Sequence, residues 1–466
     1  MSYKVLDILE SWRAKSDHLS VSEDASLMIE GCSARELVEE YGSPLYVMSE
    51  TTLRQNYRQV KTAFDAVWPG TVNVMYAIKS NPNIALRSIL SEEGAGGDCF
   101  SIGEIEATFR GGANPEKVAV NGSYKSDEVI ERSVELGLIL NLDAEEEVDN
   151  VERVARRLGK VARIAIRLKV LDKKYFKSFR PDCFVTPNFS GFMERSKWGE
   201  TENAAERIIH KVMASKSMEM VGYHNHLGRA SRDPSMWQAL QGAFAEMVVS
   251  LYQKTGFSPF MVDIGGGWSR ERDPESSSGD IRNPHKIEDY AHVVSEVMLR
   301  IFRGGKMPLP QLWLEPGRYI VGNSGVFLTR TVLVKQDEEL GFTWVNVDSS
   351  TNNLLQIDLY DYDYVVLPAE HMQRPITRKA DVVGIICVPS VFAEDCPLPD
   401  VKAGEIMAIL DAGMYAEAKG NQFNSIPRPA TILVKAESHC LIRRRETVED
   451  VFSTMIMPER LKPEIV

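Results

Sequence analysis

The feature that most constrains this chain is an eightfold alternation of short apolar runs with longer amphipathic stretches, between about residues 45 and 318. The runs are VNVMYAI (72–78), GAGGDCF (94–100), KVAVN (117–121), LILNLD (138–143), ARIAIRL (162–168), MVGYHNH (220–226), FMVDI (260–264) and QLWLE (311–315). Segments of helical period such as NIALRSILSEE, EIEATFRGG and EEEVDNVERVARRLGK separate them, so strand and helix alternate throughout. Eight such units predict a (β/α)8 TIM barrel. The second run is the weakest strand of the set, because its glycines lower strand propensity. A stretch over roughly 171–219 reads as an insert between the fifth and sixth runs, and RERDPESSSGD (270–280) reads as a polar loop.

After residue 320 the texture changes to β-branched runs with little helical period: VFLTRTVLVK, FTWVNVD, YVVLP, DVVGIICVPS, EIMAILD and ATILV. These predict an all-β domain. The segment before PLYVMSE is too short to fold alone and is expected to pack with it. The expected organisation is therefore an N-terminal segment (1–45), an α/β barrel (46–322) and a C-terminal β domain (323–466) that takes in the N-terminal segment. A chain of 466 residues, 44% of them hydrophobic, is long enough for one large core and a second domain. The net charge of −12, from 66 acidic against 54 basic residues without a Lys/Arg block, argues against a nucleic-acid partner. With no run of 18 apolar residues, and charges mixed into the opening MSYKVLDILESWRAK, neither a membrane span nor a signal peptide is expected. The reading is a cytoplasmic protein. Its six cysteines are scattered, with no CxxC spacing and no histidine pairing, which predicts free thiols and no metal site.

Catalytic groups of such barrels gather at the C-terminal ends of the strands, and here the polar residues fall at that end. Lys79 follows the first run, Asp98 and Glu104 the second, and Asn121 ends the third; Arg167 lies in the fifth, and His224 and His226 end the sixth. Gly265, Gly266 and Gly267 follow the seventh run, and Glu315 and Arg318 end the eighth. A lysine leaving a mostly apolar strand is partly desolvated, which favours the neutral amine that imine chemistry needs. Taken alone, however, Lys79 reads better as a snorkelling strand-end side chain. The glycine triplet leaves three consecutive N–H groups unobstructed for a phosphate, although a lone triplet is as often a flexible turn. Glu315 and Arg318 of EPGR could serve two ends of one anionic heterocycle, and alone they read as a surface ion pair. Together, a lysine for an imine, a nest for a phosphate and a carboxylate for a ring nitrogen are what pyridoxal phosphate requires.

These residues stand in segments that resemble the alanine-racemase-like fold class of pyridoxal phosphate enzymes, and within it the diaminopimelate and ornithine decarboxylases. The segments are YAIKSNP (76–82), GAGGDCFSIGEIEA (94–107), SKWGE (196–200), YHNHLG (223–228), DIGGG (263–267), EPGR (315–318) and DAGMYAEAKGNQFNSIPRP (411–429). The resemblance implies a cofactor of pyridoxal 5′-phosphate carried by Lys79 as a Schiff base. It implies that His226 stacks on the ring, that Gly265, Gly266, Gly267, Arg318 and Tyr415 hold the phosphate, and that Asp98 and Arg167 also line the cofactor. Glu315 would face the pyridine nitrogen and keep it protonated, so that the ring draws in the electrons left by departing CO2. Racemases of this class have an arginine facing that nitrogen, so Glu315 argues for decarboxylation. The resemblance further implies a homodimer with shared active sites, in which Cys387 of GIICVPS protonates the α-carbon; the plain alternative for Cys387 is a buried thiol in an apolar strand.

The chain departs from the family at the residues that would read the substrate. Diaminopimelate decarboxylases carry Cys-Glu-Ser-Gly-Asp where this chain has Cys387-Val388-Pro389-Ser390, so a glutamate is missing. Gln356 stands where they carry an arginine for the distal carboxylate. Losing both charged groups removes several charge-assisted hydrogen bonds, which disfavours meso-diaminopimelate. Glu394 and Asp395 could stand in for the glutamate, but a solvated acidic loop is the better reading. Arg229 replaces the serine that follows HLG, with Ser231 nearby as a substitute hydroxyl; it would add to the phosphate contacts or reach a substrate carboxylate. The expected activity is decarboxylation of an amino acid of the diaminopimelate, ornithine or lysine type, or of a conjugated one from specialised metabolism. The alternatives are an amino-acid racemase and a non-catalytic homologue that binds a protein partner.

Overall fold

A computed structural model of the chain describes residues 3–13, 17–170, 195–226, 228, 232–271, 283–354 and 364–462. The chain divides into two compact units, a barrel unit of Ala14–Asp17 with Glu50–Ser324, and a β unit of Met1–Arg13, His18–Ser49 and Gly325–Val466.

In the barrel unit the eight apolar runs become eight parallel strands: Val72–Ala77, Gly96–Cys99, Val118–Val120, Ile139–Leu142, Ala162–Arg167, Met218–His224, Met261–Asp263 and Gln311–Leu314. They pair in sequence order into a closed barrel, the eighth returning to the first through Leu312 opposite Val72 and Trp313 opposite Asn73. The second strand forms despite its glycines because close approach requires them. A Cβ on Gly96 would stand 2.0 Å from the Lys117 carbonyl oxygen, so only glycine lets the chain pass there. Met75, Ala119, Ile139, Ala165, Val221, Met261 and Trp313 form one packed cluster of the barrel.

The crossover helices start on polar caps. Asn83, Ser101 and Ser126 accept the N–H groups of Ala85, Glu104 and Val129, satisfying donors that a helix start leaves open. Helix Glu147–Leu158 buries Val148, Val151, Val154 and Ala155, one face at helical spacing. The supposed insert contains the helix Glu202–Ala214, which buries Ala204, Ala205, Ile208, Ile209 and Val212. The second half of 171–219 is thus an ordinary crossover helix; residues 171–194 lie outside the described residues, as do 272–282 of the polar loop.

The β unit takes in the N-terminal segment. Strand Leu45–Ser49 runs parallel to Ala430–Lys435 and antiparallel to Gly325–Asp337 in one large sheet, so apart from Ala14–Asp17 the barrel unit begins at Glu50. Val5, Leu9, Leu37 and Val38 share a core with Leu45, Val47, Val326, Leu328, Ile406 and Ile432. Strands Val391–Leu398 and Ser438–Arg443 were not among the sequence expectations: the first carries exposed Glu394 and Asp395, and the second is exposed over its first four residues. DVVGIICVPS was expected to be one continuous run. Its strand, Arg378–Val383, ends early, and Gly384 to Ser390 form a loop closed by the Gly384 N–H on the Ser390 carbonyl at 2.9 Å. Pro389 has no N–H to give a neighbouring strand. Among the described residues no helix is long and apolar enough to cross a membrane.

Candidate active site

Strand register sets the first layer of the site. Arg167 pairs with His224, and His224 with Asp263, so the last residues of the fifth, sixth and seventh strands lie side by side. Asp98 stands beside Ala77, two residues before Lys79. Parallel partners in register point to the same face, and these residues meet at the C-terminal mouth.

Lys79 Nζ donates to Asp98 Oδ2 at 2.9 Å and sits 4.8 Å from the centroid of the Phe100 ring. Asn121 Nδ2 donates both to Asp98 Oδ1 and to Glu315 Oε1, each at 2.7 Å. Asn141 Nδ2 in turn donates to Asn121 Oδ1 at 2.9 Å, which fixes the orientation of that amide. His224 Nε2 lies 3.3 Å from Glu315 Oε2. The His224 and His226 rings are nearly parallel, with centroids 6.4 Å apart. Arg167 is buried and donates to the His226 carbonyl at 3.1 Å.

Three fully buried carboxyls of this mouth, those of Asp98, Asp263 and Glu315, are not equivalent. Burial pushes Asp98 and Asp263 up, and the charge of Glu315 adds to both rises. Burial pushes at Glu315 as well, but His224, by charge and hydrogen bond, and the cation of Lys79 outweigh it and hold that carboxyl below the usual range. Asp98 and Asp263 therefore favour the protonated form, whereas Glu315 stays ionised. Burial, followed by the nearby Lys79 charge, holds His226 well below its ordinary value. A neutral ring agrees with its Nδ1 accepting the Gly266 N–H at 3.0 Å, which leaves the proton on Nε2.

Residues 50–322 match the family described as pyridoxal-dependent decarboxylase, pyridoxal binding domain. The chain belongs to this family. It is similar over its length to diaminopimelate decarboxylases of Methanothermobacter thermautotrophicus, 30% identical over 95% of this chain and 98% of that one, and of Archaeoglobus fulgidus, 31% identical over 94% and 99%. Among solved structures, diaminopimelate decarboxylase from M. jannaschii superposes with a TM-score of 0.87 at 27% identity, covering 96% of this chain and 99% of that one. The Helicobacter pylori enzyme complexed with L-lysine does so at 0.77 and 27%, covering 90% and 98%. The chain is thus a pyridoxal phosphate-dependent amino-acid decarboxylase.

The decarboxylase's own residues fit that cofactor. Glu315 is a buried carboxylate kept ionised, as a protonated ring nitrogen requires. Two buried polar atoms beside it, His224 Nδ1 and Asp263 Oδ2, have no hydrogen-bond partner among the described residues. A Cβ on Gly266 would lie 2.1 Å from the Glu315 carbonyl oxygen, so the glycine loop is packed directly on the eighth strand. The loop differs from the open nest expected. Gly265 N–H is held by Asp263 Oδ1 at 2.8 Å and Gly266 N–H by His226; of the three, Gly267 alone lacks an N–H partner among the described residues. Two glycine N–H groups orient the acid and the imidazole instead.

Arg318 is half-buried and opens the short helix Arg318–Val321 just after the eighth strand. Tyr415 and Cys387 belong to the β unit. Tyr415 has a positive φ of 53° and Lys419 Nζ 5.9 Å from its ring centroid. Cys387 is exposed, its N–H donating to Asn424 Oδ1 at 3.1 Å, so the buried-thiol alternative does not hold. Glu394 and Asp395 are exposed, Asp395 near Lys379 at 3.8 Å, in keeping with a solvated acidic stretch. Gln356, Arg229 and Ser231 lie outside the described residues. Sequence reasoning missed Asp263 and Asn141. The signal for both was present, since each ends or nearly ends a barrel strand in the same way as His224.

Proposed function

We propose that the enzyme removes the α-carboxyl group of an amino acid of the diaminopimelate, lysine or ornithine type, with meso-diaminopimelate itself disfavoured. Lys79 carries the cofactor, and Asp98, Arg167, His226, Gly265, Gly266, Gly267, Glu315, Arg318 and Tyr415 surround it. The observation that carries this reading is the bonded set Lys79–Asp98–Asn121–Glu315–His224 at one end of the barrel.

Pyridoxal phosphate, when bound, supplies an electron sink for the pair left by departing CO2. The chain's residues prepare that chemistry. Asp98 Oδ2, 2.9 Å from Lys79 Nζ, is placed to take the ammonium proton and leave a nucleophilic amine. Glu315 supplies a fixed negative charge for a ring N–H, and Asn121 keeps Asp98 and Glu315 apart by donating to both. A neutral His226 presents a ring face without adding positive charge. Cys387, an exposed thiol on a loop, supplies the proton to the α-carbon in a cytoplasmic homodimer whose sites draw on both chains. Arg229, Gln356, Arg318 and Tyr415 are proposed to contact the substrate.

The substrate reading rests on the names of the relatives for its class and on Cys387-Val388-Pro389-Ser390 for its exclusion. CO2 release from a panel of L- and D-lysine, L- and D-ornithine, arginine and meso-diaminopimelate tests it. The expected result is turnover of one panel member well above meso-diaminopimelate. Fastest turnover of meso-diaminopimelate would overturn the exclusion, and release from none would overturn the substrate class.

A further inference from the structure

Arg167 poses a problem that its immediate partners do not solve. It is 5% exposed, and a guanidinium stays charged in proteins. Among the described residues its polar side-chain contacts are one main-chain carbonyl, that of His226 at 3.1 Å, and Asp143 Oδ1 at 3.9 Å from Nε, too far for a hydrogen bond. The carboxylates of Asp143, Glu315, Asp98 and Asp263 favour its charge from a distance, and the face of Trp198, whose ring centroid is 4.6 Å from the guanidinium carbon, is what packs against it directly.

The same indole reaches the other side of the site. Its ring meets Phe100 edge-on, at 6.0 Å between centroids and 88° between planes, and Phe100 lies under the Lys79 ammonium. Trp198 is held in turn by its neighbours. Gly199 N–H donates to Asp143 Oδ1 at 2.9 Å, and Glu200 exchanges main-chain bonds with Arg167 and Lys169, N–H to the Arg167 carbonyl at 2.8 Å and carbonyl to the Lys169 N–H at 2.9 Å. The SKWGE segment is therefore stitched alongside the end of the fifth strand, and its one large side chain touches both arms.

We propose that Trp198 is a positioning residue of this decarboxylase: its indole braces Arg167 on one side and Phe100 on the other, and so sets the His226 main chain and the Lys79 amine against the cofactor. The inference rests on the cofactor placement proposed above. An aromatic ring, not indole as such, is what the brace requires.

Three proteins test it: the wild type, Trp198→Phe and Trp198→Leu, each measured for cofactor dissociation constant, the pH midpoint of the bound-cofactor absorbance, kcat and KM. Leu keeps apolar bulk but has no π face. The expected result is that Trp198→Leu weakens cofactor binding by roughly tenfold and moves the absorbance midpoint by about half a unit or more, while Trp198→Phe stays within about threefold of wild type. Equal behaviour of all three, or equal loss in Phe and Leu, overturns the brace. A cycle with Arg167→Lys separates the routes: if the brace acts through Arg167, the loss from Trp198→Leu shrinks in the Arg167→Lys background, and a full additive loss there overturns it. A wild type that binds no pyridoxal phosphate would instead overturn the cofactor placement, a failure distinct from that of the brace.

Discussion

Individual residues of the mouth carry charges and contacts that a substitution can reveal. Glu104 accepts the Phe100 N–H at 2.6 Å, and its carboxyl is pushed up to about 7, chiefly by burial and then by Asp98. A carboxyl whose folded value lies above its unfolded one stabilises the fold fully below the unfolded value, about 4.3, and loses that contribution as pH rises through about 7. Glu104→Gln stays neutral and can still accept the N–H. Its melting temperature relative to wild type should therefore rise between pH 5 and pH 8; a difference independent of pH would mean that Glu104 is solvated. Gly266→Ala is a steric test. With a Cβ only 2.1 Å from a main-chain oxygen, the substitution should cost about 2–4 kcal/mol in denaturant unfolding, and a neutral result would mean that the loop can move off the eighth strand. At this scale Lys79, Glu315 and His226 were legible because strand ends mark them. The partnering of Gly265 and Gly266 with Asp263 and His226 was not, because composition says a glycine N–H is accessible but not what accepts from it.

Elements were legible where apolar runs stand in register with turns, and less so where side chains do not report backbone pairing. All eight barrel strands came from such runs. Strand Ser438–Arg443 escaped because it is short and largely exposed, so no buried face marks it, and the loop carrying Cys387 escaped because its apolar letters continue the strand pattern past Val383, where pairing ends. A buried ion pair ties two elements of the barrel together in a way no periodicity announces. Lys125, in the loop after the third strand, is 3% exposed. Its Nζ donates to the Gly122 carbonyl at 3.0 Å and to both oxygens of Glu147, at 3.1 and 3.3 Å, at the start of helix Glu147–Leu158. Glu147 also accepts the Asp143 N–H at 2.7 Å. Removing one partner strands a buried charge, so Lys125→Met should cost about 3–5 kcal/mol in urea unfolding. Adding Glu147→Gln, which keeps the acceptor for Asp143, should restore roughly half of that or more. No recovery in the double variant would show that the lysine acts through its apolar stem and the Gly122 carbonyl instead.

Across the whole molecule, the N-terminal segment is the part whose fate depends on the far end of the chain. Leu45–Ser49 lies between two strands that come more than 270 residues later in sequence. Ahead of it, helix Val5–Trp12 closes the same core: Leu6 N–H donates to the Met372 carbonyl at 2.8 Å, Val5 N–H to the Arg374 carbonyl at 3.2 Å, and Trp12 Nε1 to Asp411 Oδ2 at 3.3 Å. Val5 and Leu9 are fully buried there, in one cluster with Leu367, Met372 and Leu410. Each such side chain stabilises by about 1.5–3 kcal/mol when taken out of water. The segment therefore belongs energetically to the β unit, although in sequence it precedes the barrel. Deleting residues 1–13 should accordingly lower hydrogen-exchange protection at Val366–Pro368 and Ile406–Ile409 by roughly a hundredfold or more, with little change in the barrel strands. Protection lost equally in Val72–Ala77 or Ala162–Arg167 would mean that the two units open as one cooperative body, and the assignment of the segment to the β unit would then have no separate energetic meaning.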